Sequence, residues 1–490
     1  MRSQDRSLEV AALLVILALA AYVRLANLTD NPGWYTDEGT HLDIARHLLA
    51  GRVQYLAVDQ SLLLFSRLPL FEGLFAVWAR LFGVSMAALR TLTGALGVLT
   101  VAWLYGVTRR LTHDRLLALL AAFCFAIYPP AVLYSRFGFS YNLLAPLLLI
   151  ALCGAHEYVT LKSARWLAVS AGAIGLAAIS EVWGWGLIVP LAAVVALRNW
   201  RDLLWSLPLA LLPFGVYAAI MLGTVPHAFT FDLAFVLSRV NQLSISQQAA
   251  TLIQNITTLS AQDSWLWIGT VGWLMLRPTR TRLIVLAFAA LPFALLGRTT
   301  AVFSLSYYYM IPLLPLTALG VASAIRFGVA VVRPHWRGVL AVGLGGLIGL
   351  LAIPPLLHQV NTQFRSDIEP FLIDAPAARQ AAAFVNAQVS ATDRVIASPA
   401  VAWQIQAAVA DFQMPVAFGG QATPHLPATV PAVRWVFEPR YQTARFVIVD
   451  NLWRNWAVPN VPGVRDMLRE VETWPRVFEA GNVTVYQQPR

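Results

Sequence analysis

The stretch RLPLFEGLFAVWARLFGVS, Arg67 to Ser85, decides how the chain is threaded. On composition it passes for a membrane-spanning helix, with Glu72 and Arg80 as its internal charges. The basic residues around it argue otherwise. They gather between apolar runs, at Arg2/Arg6, Arg109/Arg110/Arg115, Lys162/Arg165, Arg198/Arg201, Arg277/Arg280/Arg282 and Arg326/Arg333/Arg337. Short basic loops stay on the cytoplasmic side. Counting 67–85 as a span would move the Arg109–Arg115 cluster outside. The stretch is therefore expected to lie as a helix at the outer interface, or to re-enter.

The rest of the chain fits that threading. Of its 490 residues 58% are hydrophobic and 12% charged, against roughly 25% charged in a soluble domain. The formal charge of +10 is spread between apolar runs, which is a topology signal and excludes a nucleic-acid patch. Two cysteines, Cys124 and Cys153, both inside apolar runs, speak against a disulfide framework or a cysteine metal site. About eleven spans are expected, near 8–26, 87–108, 115–134, 141–160, 166–181, 183–198, 203–222, 264–277, 282–297, 304–325 and 338–357. The fold class is an all-α polytopic membrane protein with a small C-terminal external α/β domain.

Residues 1–357 form the membrane domain in this reading, and 358–490 the external domain. The first external loop covers 27–86, with surface helices at about 38–50 and 68–83. A long external loop, 223–263, holds Arg239 and has an apolar periodicity suited to a lid. The helix 38–50 is amphipathic: Leu42, Ala45, Leu48 and Leu49 share one face, Asp43, Arg46 and His47 the other, as in a helix lying in the headgroup plane. In the tail, DAPAARQAAAFVNAQVS and VAWQIQAAVA read as helices. DRVIAS and RFVIVD read as strands, and VFEAGNVTVYQQ as a hairpin around Gly481-Asn482. The tail carries no phosphate loop or dinucleotide fingerprint.

Chemistry is expected at three external places. Asp37 and Glu38 sit side by side after the first span, available to deprotonate a hydroxyl or to hold a divalent cation. They could equally cap the following helix. His41 lies one turn on and could share the site, with Arg67 and Asp59 in the same loop. Arg136, in the turn after the third span, is placed to snorkel or to clamp a phosphate. Arg298 ends a span on the outside, and Tyr307, Tyr308 and Tyr309 open the next span, as an aromatic belt or, with Arg298, around an anionic headgroup. Glu181, an acid at the outer end of the fifth span, is a candidate because such a placement is costly. Together these suggest chemistry on a headgroup whose tail stays in the bilayer.

RLANLTDNPGWYTDEGTHLDIARHLLAGR resembles the first external loop of the GT-C glycosyltransferases. These include the protein O-mannosyltransferases of glycosyltransferase family 39 and the lipid A aminoarabinose transferases. The matching features are Arg24, Trp34, the Asp37-Glu38 pair and a helix closing on Gly51. RLPLFEGLFAVWARLFGVSMAALRTLTGALGVLTVAWLYGVTRRL, LYSRFGFSYNLLAPLLLIAL and YYYMIPLLPLTALGVA continue the resemblance in order over roughly 1–355. It implies a sugar donor on a polyprenyl phosphate, Asp37 as base or acceptor-orienting group with Glu38 as companion, and Arg136, Arg298 and Tyr308 around the carrier phosphate. His41, Glu181 and Arg67 are further substrate-binding candidates. The chain departs from the pattern at Tyr141 and Asn142, where relatives carry a second acid, and at Glu181, where they carry a basic residue. No cofactor is required, although Mg or Mn at Asp37/Glu38 is conceivable from oligosaccharyltransferases. The implied partners are the lipid-linked donor, an acceptor glycan, lipid or protein, and the bilayer, with no nucleic acid. A bacterial inner membrane with a cytoplasmic N-terminus fits best. The competing readings are a flippase for lipid-linked sugars and an inactive scaffold. The absence of an internal repeat and the scarcity of mid-span charges weigh against the first.

Overall fold

A computed structural model describes residues 2–65, 67–240, 244–295, 304–330, 334–362 and 371–489. In chain order the main helices are α1 (Arg2–Leu25), α2 (Thr36–Leu49), α3 (Pro69–Phe82), α4 (Met86–Thr112), α5 (Arg115–Ile127), α6 (Pro129–Ser135), α7 (Tyr141–Leu161) and α8 (Ala164–Ala178). Then come α9 (Ile188–Asn199), α10 (Leu203–Thr224), α11 (Pro226–Val240), α12 (Ile245–Gln262), α13 (Ser264–Leu274), α14 (Thr279–Leu295), α15 (Leu314–Ala330), α16 (Pro334–Asn361) and α17 (Ala375–Asn386). The chain folds as two units, each drawn from separated segments. One holds 1–26, 93–219 and 241–362; the other holds 27–92, 220–240 and 363–490.

The first unit is helical. Among the described residues, six helices are long and apolar enough to cross a bilayer: 6–25, 86–112, 141–161, 182–224, 308–330 and 336–361. The bent pair α5 and α6, with 60° between them, makes a seventh if counted as one span. Other expected spans are helices too short for that test, such as α8, α13 and α14. The α5/α6 bend has a local cause. Pro129 and Pro130 cannot continue α5, so the carbonyls of its last turn lose their partners. Arg24, fully buried, supplies them: its guanidinium donates to Phe125 and Ala126, each at 2.8 Å. Asp114 caps the other end of α5 through the Leu117 amide at 3.0 Å. α13 packs on α15 so closely that a Cβ on Gly272 would lie 1.8 Å from the Gly320 carbonyl. Glycines let helices approach to that distance.

The second unit contains the sheet. Strands β1 (Gln54–Tyr55) and β2 (Val58–Asp59) form a short antiparallel pair. β3 (Arg394–Ile396), β4 (Ala408–Ala410), β5 (Phe446–Val449), β6 (Arg476–Ala480) and β7 (Val483–Gln487) form one sheet in the order β4-β3-β5-β7-β6. The first three are parallel, and β7 joins antiparallel to β5 and β6. Strand β5 is buried along its whole length, as its unbroken FVIV run requires. The β6–β7 hairpin turns at Gly481, whose φ of +52° suits glycine. VAWQIQAAVA is not one helix. Pro399–Ala402 makes a single turn, and Ala408–Ala410 leaves it to pair with β3, burying Val409 and Ala410. Pairing on a buried strand outweighs the helix propensity of alanine.

Within this unit the segments interlock. Trp34 and Ile373 exchange two backbone hydrogen bonds of 2.9 Å. Gly39 of α2 sits against the 399–402 turn so closely that a Cβ would come 1.9 Å from the Pro399 carbonyl. Arg434 grips Asp232 of α11 at 2.6 and 3.2 Å, and Ser61 also donates to Asp232.

Candidate active site

The acidic doublet opens α2, and its two carboxylates have different tasks. Glu38 is fully buried and paired with Arg90, itself fully buried, through two bonds of 2.7 Å. Its Oε2 also accepts from the Tyr35 amide at 3.0 Å, which closes the helix start. Arg90 spends its remaining donors on the carbonyls of Leu28, Pro32 and Gly33 at 2.7 to 2.9 Å. Glu38, expected as a catalytic companion, is thus the anchor that fixes the chain ahead of the helix. The reason is physical: a carboxylate fully buried against a fully buried guanidinium is closed to a substrate.

Asp37 stays reachable, its side chain 25% exposed, and pairs with Arg67 at 3.1 Å. Burial pushes its carboxyl upward. Arg67, His41 and His425 outweigh that and hold it below the ordinary aspartate value. His425 comes from the C-terminal part of the unit, its ring stacked on Trp456 at 6.0 Å. Burial, together with Arg239 and Arg67, pulls its imidazole down to about 4 although Asp37 pulls the other way. His41, one turn beyond Asp37, is buried with Glu72 of α3 at 2.6 Å from its Nδ1. Asp37, Arg67 and His41, three candidates from the sequence, therefore share one neighbourhood.

The polar face of α2, expected to meet headgroups or water, is buried in protein. Asp43 accepts from Arg46 at 2.6 Å and from the Leu56 amide at 2.7 Å, and Arg46 continues to the carbonyls of Trp403 and Ile405. Asp59 accepts from Arg434 through its carbonyl at 3.1 Å.

The remaining candidates lie in the helical unit. Arg136, buried, donates to the carbonyls of Val23 and Ala26 at 3.0 and 2.8 Å. The turn that follows it reaches two others. Ser140 donates to Glu181, which is also buried, and Phe139 and Tyr141 each pack on Tyr308 with centroids 5.3 Å apart. Asn142, at the position of the relatives' second acid, spends its amide on the carbonyls of Tyr134, Phe137 and Phe139. It holds the turn and carries no charge. Arg298 lies outside the described residues.

A divalent cation does not fit the doublet, because each carboxylate already faces its own guanidinium. Among the described residues no group of three or more His, Cys, Asp or Glu side chains is arranged to hold a metal. Sequence reasoning passed over Glu72, Arg90 and His425 as site residues. Arg90 carried a signal, a charge inside an apolar run. His425 carried none, because only the fold of the tail brings it to Asp37.

Residues 66–227 match the family model described as dolichyl-phosphate-mannose-protein mannosyltransferase. The crystal structure of ArnT from Cupriavidus metallidurans bound to undecaprenyl phosphate is 14% identical with a TM-score of 0.65, over 100% of this chain and 99% of that one. The apo form of the same enzyme gives 14% and 0.67, over 100% and 98%. No curated protein sequence matches. The chain has the fold of that transferase, and the resemblance to the GT-C glycosyltransferases read from the sequence is borne out.

Proposed function

We propose that this protein transfers a sugar from a polyprenyl-phosphate donor to an acceptor hydroxyl at the outer face of the membrane, with Asp37 as the base. The reading is supported by the family match, by the fold shared with an undecaprenyl-phosphate-bound transferase, and above all by one observation. Of the adjacent acids, Asp37 alone is reachable, and Arg67 pairs with it.

The chemistry follows. In the resting pair Asp37 is a weak base, because Arg67 favours its ionised form. A donor phosphate competes for the guanidinium, which suits phosphate and carboxylate equally. As Arg67 turns to the phosphate, Asp37 gains proton affinity. The acceptor oxygen then bonds to the anomeric carbon while its proton passes to Asp37. The bond from that carbon to the phosphate oxygen breaks, and the electron pair leaves on the carrier phosphate, stabilised by arginine. A single displacement inverts the anomeric centre.

The same reading gives about eleven spans, a cytoplasmic N-terminus, an external C-terminal domain and a bacterial inner membrane. The test supplies purified protein with labelled polyprenyl-phosphate sugars and candidate acceptors. Wild type is expected to consume at least one donor, and Asp37→Asn to lose nearly all turnover. Equal turnover by the two proteins overturns the assignment.

A further inference from the structure

His425 and Asp37 each titrate under the other's charge, and His425 also feels Arg67 and Arg239. The mechanism above gives this histidine no part, yet its mount is firm. The turn that bears it is closed by three hydrogen bonds. The Thr423 amide and hydroxyl donate to the Leu426 carbonyl at 2.8 and 3.3 Å, and the Leu426 amide donates to the Thr423 hydroxyl at 3.0 Å. The His425 amide donates to Gln413 Oε1 at 3.3 Å.

The imidazole is backed as well. One face lies on Trp456, with 6.0 Å between centroids and 23° between planes, and Trp456 leans on Phe412. Trp456 belongs to a π-helix, Trp453–Ala457, a rare form that concentrates at functional sites. These restraints hold the backbone and one ring face of His425. Among the described residues neither ring nitrogen has a hydrogen-bond partner, and the residue is half-buried. A polar group fixed this way loses little freedom when it takes a ligand.

Chemistry narrows the ligand. Its surroundings and the two arginines keep the imidazole uncharged at neutral pH. A neutral imidazole offers one donor and one acceptor, the complement of a hydroxyl, which is also both. A phosphate or carboxylate is better served by guanidinium. Place narrows it further. In the displacement the acceptor oxygen faces Asp37 and the carrier phosphate faces Arg67. The transferred sugar is the moiety bonded to each in turn, so a group beside both residues borders that sugar. An uncharged neighbour also suits the oxocarbenium character that develops there, which a cation would oppose.

We propose that His425 is a sugar-recognition residue: its imidazole, backed by Trp456, hydrogen-bonds a ring hydroxyl of the sugar being transferred and so sets which donor is accepted. The inference rests on Asp37 as the base and Arg67 at the phosphate. Two nearer polar groups are closed to such a contact, His41 being buried with Glu72 and Glu38 with Arg90.

The test is a footprint on the wild-type full chain in detergent, without acceptor and so without turnover. Diethyl pyrocarbonate acylates unprotonated imidazoles. At about pH 5.5 an ordinary histidine is roughly nine-tenths protonated, so His425 is expected to label ahead of the others, read by mass spectrometry of its peptide. Undecaprenyl-phosphoryl mannose, glucose and arabinose are each compared with undecaprenyl phosphate. At least one glycosylated carrier, at about ten times its Kd, should slow labelling about tenfold, and the bare carrier should not. An unlabelled His425 in the free protein, protection by none of the three, or equal protection by the bare carrier overturns the inference. With the donor that protects, His425→Ala should lower kcat/KM about tenfold, and His425→Asn, which keeps a donor and an acceptor, should recover part of it. A deoxy donor lacking the contacted hydroxyl should be used equally by wild type and His425→Ala; a further loss with every deoxy analogue counts against the contact. Turnover retained by Asp37→Asn sinks the base assignment, whereas the footprint, read on wild type, fails or succeeds on the sugar contact alone.

Discussion

Glu38 and Arg90 are held together by two bonds of 2.7 Å, both side chains fully buried, directly beside an Asp37 that remains reachable. Neighbouring acids in one turn therefore divide into a buried anchor and an accessible carboxylate. Glu38→Gln leaves a buried guanidinium without its counter-charge and is expected to cost about 3–5 kcal/mol. Asp37→Asn loses a partly exposed pair and should change stability by about 1 kcal/mol or less, while abolishing turnover. Thermal unfolding in detergent beside a turnover assay separates the two. The reverse pattern would show that the roles are exchanged.

On the proposed mechanism, Arg67→Gln removes a donor to the phosphate, and it removes the main cation on Asp37. A charged hydrogen bond contributes about 1.5–3 kcal/mol, so KM for the lipid-linked donor should rise by about tenfold or more. The Asp37 carboxyl should return towards its ordinary value, so the acidic limb of kcat/KM moves to higher pH. Initial rates across pH 4 to 8 check both.

Asp450, at the end of β5, is buried and accepts from Ser398 and from the Leu452 amide at 3.0 Å. Burial pushes its carboxyl up to about 6. A raised acid stabilises the fold below its unfolded value, and that contribution disappears as pH rises through 6. Asp450→Asn is therefore expected to flatten the fall in stability between about pH 4 and 6, by up to about 3 kcal/mol. Unfolding midpoints in that window decide it.

Gly39 lies where a Cβ would come 1.9 Å from the Pro399 carbonyl, and backbone cannot yield as a side-chain tip does. Gly39→Ala should push α2 off the 399–402 turn and destabilise the unit by several kcal/mol, on the order of 3. Turnover should fall with it. A wild-type melting temperature in this variant would refute the close packing.

Much of this was legible in the sequence, and the limits have physical causes. The helices at 38–50 and 68–83 could be read because apolar periodicity is local, and α2 and α3 occupy those stretches. Strand β5 and the hairpin at Gly481 were readable for the same reason. The environment of α2 was not. Asp43 and His47 look solvated in the pattern, yet they are buried, because Arg46 and the 403–405 carbonyls come from distant chain. The doublet was legible as a pair but not as two roles, since only the fold brings Arg90 to one acid and Arg67 to the other. Glu72 read as an interruption in an apolar helix; its meaning depends on His41 across the gap.

The exchange of hydrogen bonds between Trp34 and Ile373 has a consequence for biosynthesis. The helix that bears Asp37 is synthesised well before the strands and turns it packs on, which lie far along the chain. A nascent chain therefore carries the Asp37 carboxylate on an unfinished platform. The helix is braced only once those later segments have been made, so on the proposed function a product cut short before them would be inert rather than a loose, indiscriminate catalyst.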